Sequence, residues 1–283
     1  MAKLLQITDI HFHGEYDGRF GVKEHLEQIL AETKGQEFDA IVLTGDLVDD
    51  KSDYNPLEAT VEDYTALFNR IIETFGGETP LLVIPGNHDN RKNLDIAYEA
   101  YLARSYNYKN GISIRTYGGS FEEPGRKFVV MRIPFNFTNY TLVGMDNGHN
   151  AIPHKALQEL LDVEWTARDK GVYYLFVHKP LIKPFHMFMN QPKYSIDEDE
   201  AKTFLLATQE LGFRGIFCGH YHCPSIVSWG EWVQYAAPSS QGQIDPFSAE
   251  CVPSGNYPGY AIIYLDDTIK AKFKFITGDT DAK

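Results

Sequence analysis

Three cysteines in 283 residues, at positions 218, 223 and 251, leave at least one thiol outside any internal pair. That scarcity excludes a disulfide-stapled scaffold and favours a reducing compartment, so a cytoplasmic protein is expected. Cys218 and Cys223 flank a Gly-His-Tyr-His turn, but two cysteines at this spacing make no zinc knuckle, and both are expected to pack. No apolar run approaches the ~20 residues of a membrane span, and the opening MAKLLQITDIHF has no signal-peptide core, so no membrane span is expected. Positive charge is also short: 26 Lys and Arg stand against 39 Asp and Glu, a net charge of −13. Without a basic stretch to follow a phosphate backbone, extended nucleic acid is a poor partner. A small phosphate-bearing substrate stays open, because a bound metal supplies the local charge that the chain lacks.

Internal repeats and low-complexity linkers are absent too, and 43% of the residues are hydrophobic. One domain over 1–283 accounts for that length and composition. Short β-type runs at 2–8, 39–44 and 80–84 alternate with helical periodicity at 21–34 and 60–75, the arrangement of parallel strands joined by crossover helices. After a helix near 91–106, strands at 112–117, 127–134 and 139–145 follow closely, as in a mixed or antiparallel sheet. A helix is expected at 153–169, a strand at 172–177, a helix at 197–211 and a strand at 213–218. Strands at 225–229, 232–237, 259–265 and 269–276 complete the chain. Segments 179–196 and 238–258 read as long loops, and loops of that length often form lids or substrate walls. Aromatic content permits an oligomer interface without locating one.

Polar residues that bear chemistry gather where these strands end. Asp9 and His11 follow the first strand, Asp46 the second, and Asn87, His88 and Asp89 the third. His178, His220 and His222 follow two later strands. In open α/β sheets the carboxyl ends of strands converge on one rim, where ligands are held. Asp9 and His11, and likewise His220 and His222, share a direction if the backbone stays extended past the strand. Each piece alone has an ordinary explanation: a chance D-x-H, a capped turn at Gly45-Asp46, an N-cap in Gly-Asn-His-Asp, a satisfied core histidine. Together they supply two carboxylates, an amide and at least four imidazoles, more than one tetrahedral ion uses. A pair of first-row metal ions sharing a carboxylate is the economical interpretation, and such ligands admit Mn, Fe, Zn or Co, divalent or mixed-valence.

The blocks D-I-H at 9–11, G-D-L-V-D at 45–49, G-N-H-D at 86–89, His178 before Lys-Pro, and G-H-Y-H at 219–222 resemble, in this order, the calcineurin-like metallophosphoesterase superfamily. The resemblance implies a four-layer α/β/β/α sandwich, two mixed sheets flanked by helices, around a dinuclear metal centre. It implies Asp9, His11 and His222 on one metal, Asn87, His178 and His220 on the other, and Asp46 bridging both. It further implies that His88 stands near the leaving group and that Asp89 orients it. The family's Ser/Thr protein phosphatases carry an arginine after the GDxxD block and GNHE in the next; here Asp50 and Asp89 stand there. Segment Ala237-Pro238-Ser239-Ser240 to Pro258-Gly259-Tyr260, with the early D-I-H, is more similar to the class III cyclic nucleotide phosphodiesterase branch.

The physics reaches the same chemistry. Two cations roughly 3.5–4 Å apart clamp phosphoryl oxygens and hold a bridging hydroxide for in-line attack. Two divalent ions against two carboxylates and one hydroxide leave a catalytic floor of about one positive charge. A histidine near its ordinary pKa suits a protonated His88 either to stabilise the equatorial oxygens or to protonate the departing alkoxide. Hydrolysis of a small phosphodiester, a cyclic nucleotide among the candidates, is therefore expected. A phosphomonoesterase, a pyrophosphatase acting on nucleotide- or lipid-linked diphosphates, and a non-catalytic metal-stabilised binding protein are the alternatives. His13 could share the face of His11 and reach the substrate, and Phe185 and His186 could belong to a substrate wall. Asn55, Arg91, Arg126 and His149 are undecided, while His25 and His154 read as surface groups.

Overall fold

The computed structural model describes residues 1–12, 22–51, 57–104, 108–121, 127–135, 138–150, 152, 157–159, 161–162, 171–183, 195–244, 253–255 and 257–276. Strands β1 (Ala2–Ile7), β2 (Ala40–Thr44) and β3 (Leu81–Ile84) are parallel and separated by helices α1 (Val22–Thr33) and α2 (Val61–Phe75). The closing hairpin of β13 (Gly259–Leu265) and β14 (Lys270–Phe275) adds to β1 antiparallel, giving a first sheet ordered β14-β13-β1-β2-β3. Between them run α3 (Arg91–Leu102), β4 (Ser113–Gly118), β5 (Lys127–Phe135), β6 (Thr138–Met145), β7 (Val172–Val177), α4 (Glu198–Ala207), β8 (Gly215–Cys218), β9 (Ser225–Trp229) and β10 (Trp232–Ala236). The second sheet is ordered β4-β5-β6-β7-β8-β10-β9, antiparallel at both ends and parallel from β6 through β10.

The strand residues dictate how these sheets stack. On β7, Tyr174 and Phe176 face the core shared with the first sheet, whereas Tyr173, Leu175 and Val177 face the opposite side. β5 divides in the same way, Val129, Met131 and Ile133 on one side and Phe128 and Val130 on the other. Alternating side chains that are all apolar mean a sheet buried on both faces. The outer face of the second sheet is covered by Ala201, Phe204 and Leu205 of α4. Tyr64, Leu67, Phe68 and Ile71 of α2 join the core on the first sheet's side. The result is the four-layer sandwich, and each fully buried Leu, Ile or Phe contributes about 1.5–3 kcal/mol to holding it.

Helix α2 starts where the sequence provides a reciprocal cap: Thr60 accepts from Asp63 N, and the Asp63 carboxylate accepts from Thr60 N. Several boundaries differ from expectation. The helix expected over 91–106 ends at Leu102, and the one expected over 197–211 gives way after Ala207 to a 3₁₀ turn, Gln209–Leu211. In the helix expected at 153–169, residues 157–159 and 161–162 are helical and the rest lies outside the described residues. Segment 238–258 contains a short antiparallel ribbon, β11 (Gln243–Ile244) with β12 (Pro253–Gly255), which its composition does not signal. Among the described residues no helix is long and apolar enough to cross a membrane.

Candidate metal centre

The carboxyl ends of β1, β2, β3, β7 and β8 meet on one rim, as the strand order requires, and carry Asp9, Asp46, Asn87, His178 and His220 respectively. Their side chains converge in neighbouring clusters. Asp9, His11 and His222 form one, and Asp46, His178 and His220 another, each with a ligand atom per residue within 4.8 Å of the others. Asn87 Oδ1 lies 3.1 Å from His178 Nε2, so the amide joins the second cluster. Asp46 stands between them: its Oδ2 lies 3.2 Å from His178 Nε2 and 4.0 Å from His11 Nε2. Its other oxygen accepts from the backbone N–H of His88 at 2.8 Å.

The spacing of Asp9 and His11 serves its purpose by a different backbone than expected. Asp9, His11, Asp46, His220 and His222 all have left-handed φ, between 49° and 70°, rather than extended backbone. They are five of the seven non-glycine residues with positive φ among the described residues. Such conformations are costly for L-residues and persist where surrounding bonds over-determine them. Here Asp9 N donates to Gly45 O and His11 N to Asp46 O, while Gln241 N donates to Asp9 O. At Gly86 a Cβ would collide with Asp46 Oδ1 and Asp46 N, so only glycine lets the β3 exit pass so close to the shared carboxylate.

Two imidazoles reveal which nitrogen is offered. His178 Nδ1 lies 2.9 Å from Thr44 O, an acceptor, so that nitrogen donates there and Nε2 is the one turned toward Asp46 and Asn87. His11 Nδ1 lies 2.6 Å from Asp49 Oδ1, leaving an Nε2 that is buried with no protein partner. A buried ring nitrogen without a partner, aimed between carboxylates, fits a cation; imidazole, carboxylate and amide donors suit first-row divalent ions. The site's own charge agrees. Burial opposes a charge on His11, yet Asp49, Asp46 and Asp9 outweigh it and push its pKa up to about 10. Burial likewise opposes the charge on Asp46, and His178, His88 and His11 outweigh it, holding its carboxyl well below the ordinary range. Three acids crowded against imidazoles thus create a demand for positive charge.

His88 is 42% exposed and presents its ring at the edge of these clusters. Its pKa is raised, chiefly by Asp46, against the effect of burial. Asp89 does not orient it. The Asp89 carboxylate is buried and accepts from Leu47 N, Val48 N, Gly86 N and the Tyr64 hydroxyl, knitting the loops after β2 and β3 together. Four donors consume its lone pairs, so none is left for a ring that points outward. The acid beside His88 is Asp49, whose Oδ1 lies 3.2 Å from His88 Nδ1 while also meeting His11. Asp49 closes the G-D-L-V-D block, and its interval from Asp46 was the available signal. A cavity of about 390 Å³ opens beside Asn87 and His88 and is bordered by Asp50, Asn90, Arg91 and His149. His25 is buried, with Nδ1 2.8 Å from Gln241 O, and is not a surface group. His13, Asn55, Arg126, His154, Phe185 and His186 lie outside the described residues.

Comparison with known proteins decides what this rim belongs to. The sequence profile of the calcineurin-like phosphoesterases matches residues 2–224. The chain belongs to that family. This phosphoesterase is 24% identical over 253 residues to a probable cyclic nucleotide phosphodiesterase of Fibrobacter succinogenes, covering 87% of this chain and 82% of the relative. It is 27% identical over 298 residues to the 3′,5′-cyclic adenosine monophosphate phosphodiesterase CpdA of Haemophilus influenzae, covering 98% and 90%. Among solved structures, a dimetal phosphatase from Danio rerio superposes with a TM-score of 0.56 at 11% identity, covering 98% of both chains, which bears on the fold alone.

Proposed function

We propose that this phosphoesterase hydrolyses a small phosphodiester, with a cyclic nucleotide the first substrate to try, on two divalent metal ions held by one domain spanning 1–283. The observation that carries the proposal is Asp46 Oδ2, which stands 3.2 Å from His178 Nε2 and 4.0 Å from His11 Nε2 and so faces both clusters. Asp9, His11 and His222 would hold one ion and Asn87, His178 and His220 the other, with Asp46 shared. When bound, such ions supply Lewis-acid charge to the phosphoryl group and activate a water for attack. The protein's part is to hold geometry and move a proton. His88 keeps Nδ1 against Asp49, which leaves Nε2 to face the substrate and to protonate the departing alkoxide. The names of the relatives support the diester over the monoester. The net charge of −13 supports a small substrate over a polyanion. A cytoplasmic setting agrees with the buried thiol of Cys218, which points at Tyr235 O and forms no disulfide.

The test is reconstitution with Mn²⁺, Fe²⁺ or Zn²⁺, followed by turnover of cyclic nucleotides, glycerophosphodiesters, nucleotide pyrophosphates, phosphomonoesters and single-stranded nucleic acid. Diesters of low molecular mass should be cleaved fastest. Faster turnover of monoesters, of pyrophosphates or of nucleic acid would overturn the proposal.

A further inference from the structure

The loop leaving β6, Asp146-Asn147-Gly148-His149-Asn150, carries none of the residues assigned above to a metal. It nevertheless touches two of the loops that do. Asn147 is fully buried; its Oδ1 accepts from His178 N at 3.1 Å and from Lys179 N at 2.9 Å, and its Nδ2 donates to Lys179 O at 2.7 Å. One side-chain amide therefore fixes the β7 exit at three points. The β8 exit hangs on the same point, since Gly219 N donates to His178 O at 3.1 Å. Asp146, also fully buried, faces the other way. It accepts from Arg91 Nε at 3.3 Å and Nη2 at 3.1 Å, and Arg91 Nη2 also donates to Gly86 O at 2.9 Å, beside Asn87. A Cβ at Gly148 would collide with Arg91 Nη2 and Gly86 O, so the two loops are in direct backbone contact.

β6 and β7 belong to the second sheet and β3 to the first, so this loop joins the sheets at the place where Asn87 must meet His178 and His220. The other cluster meets this brace one step further away: the Asp9 carboxylate accepts from His220 N, its carbonyl accepts from Gln241 N, and His222 follows His220 on the β8 exit. Asn147 and Asp146 bond to neither Asp9, His11 nor His222.

We propose that Asn147 and Asp146 are positioning residues chiefly for one metal ion, the one held by Asn87, His178 and His220, and that they set its affinity more strongly than that of the ion at Asp9, His11 and His222. The proposal rests on the two-metal reading. Outer partners of metal ligands typically change affinity by about 10–100-fold when removed.

The test is calorimetric titration of the full chain, stripped with chelator, with Mn²⁺ alone. The parent should bind two ions. Asn147→Ala should bind one ion about 10–100-fold more weakly and the other with a clearly smaller loss, with turnover restored by excess Mn²⁺. Asn147→Asp keeps the oxygen that accepts from His178 and Lys179 and should weaken that ion less than Asn147→Ala does. Asp146→Asn, an isosteric change, should weaken the same ion through Arg91. Two unchanged affinities in Asn147→Ala, or an equal loss of both, would overturn the proposal. So would the failure of both Asn147→Ala and Asp146→Asn to fold, because the loop would then serve the whole fold. A parent that binds fewer than two ions would instead overturn the two-metal reading.

Discussion

The two clusters on the rim are built from similar side chains but secured by different means. Asp9, His11 and His222 all sit in left-handed backbone, held by bonds to the loops beside them such as Asp9 N to Gly45 O and His11 N to Asp46 O. Of Asn87, His178 and His220, only His220 does; the Asn87 loop is held by Arg91, which donates to Asp146 and to Gly86 O, and His178 N donates to Asn147. A left-handed turn takes its geometry from the loops beside it. A brace from another strand imports it from the packing of two sheets. A symmetric-looking pair of metal clusters therefore need not respond symmetrically to substitution, since damage to the intersheet brace should fall more heavily on one cluster and damage to a turn on the other.

Substitutions at graded distances from the clusters sharpen that contrast. Asp46→Asn strikes both clusters, and should cost more than the 10–100-fold typical of an outer partner in both metal affinity and kcat/KM; elemental analysis with kinetics checks it, and two tightly held ions would contradict the sharing of Asp46. His88→Ala strikes neither cluster, so kcat should fall about 10²–10⁴-fold with both ions retained. Loss of metal in that variant would move His88 from proton transfer to coordination. Asp49→Asn removes the anion that fixes His11 Nδ1, and a loss of about 10–100-fold should fall on the first cluster, opposite in selectivity to Asn147→Ala. Equal weakening of both ions, read by Mn²⁺ titration, would erase the distinction drawn above. Thr60→Ala, at the α2 cap far from the rim, should lower stability by about 1 kcal/mol in chemical denaturation and leave metal content and turnover unchanged.

Much of this arrangement is legible in the chain. Each ligand block follows an apolar run of strand length, and the rule that strand ends converge places all five on one rim. The first three strands and both intervening helices lie within two residues of their expected limits, because hydrophobic period and caps are local signals. Asp89 has one local partner, Gly86 N, and three distant ones, Leu47 N, Val48 N and the Tyr64 hydroxyl, which no local pattern reveals. Whether a carboxylate orients a neighbouring histidine or satisfies such donors depends on which N–H groups the fold leaves unpaired. His25 follows the same logic: a polar residue on a helix is covered where the loop after β10 brings Gln241 O to it. Asn147 carried a faint signal, a polar residue just past a strand end, but nothing nearby in sequence distinguishes it from a turn residue.

The sequence by itself determined the donors and their order: carboxylate, imidazole and amide at strand ends, in an acidic chain poor in cysteine. Those are properties of residue chemistry and of apolar period, both readable within a few positions. The packing of distant segments put Asp49 rather than Asp89 beside the His88 ring, left His11 Nε2 buried without a protein partner, and made the loop after β6 tie two sheets together at the second cluster. Each of those depends on contacts between residues 30 or more positions apart. Such contacts are set by how two buried sheets stack, and no local pattern in the chain encodes the stacking.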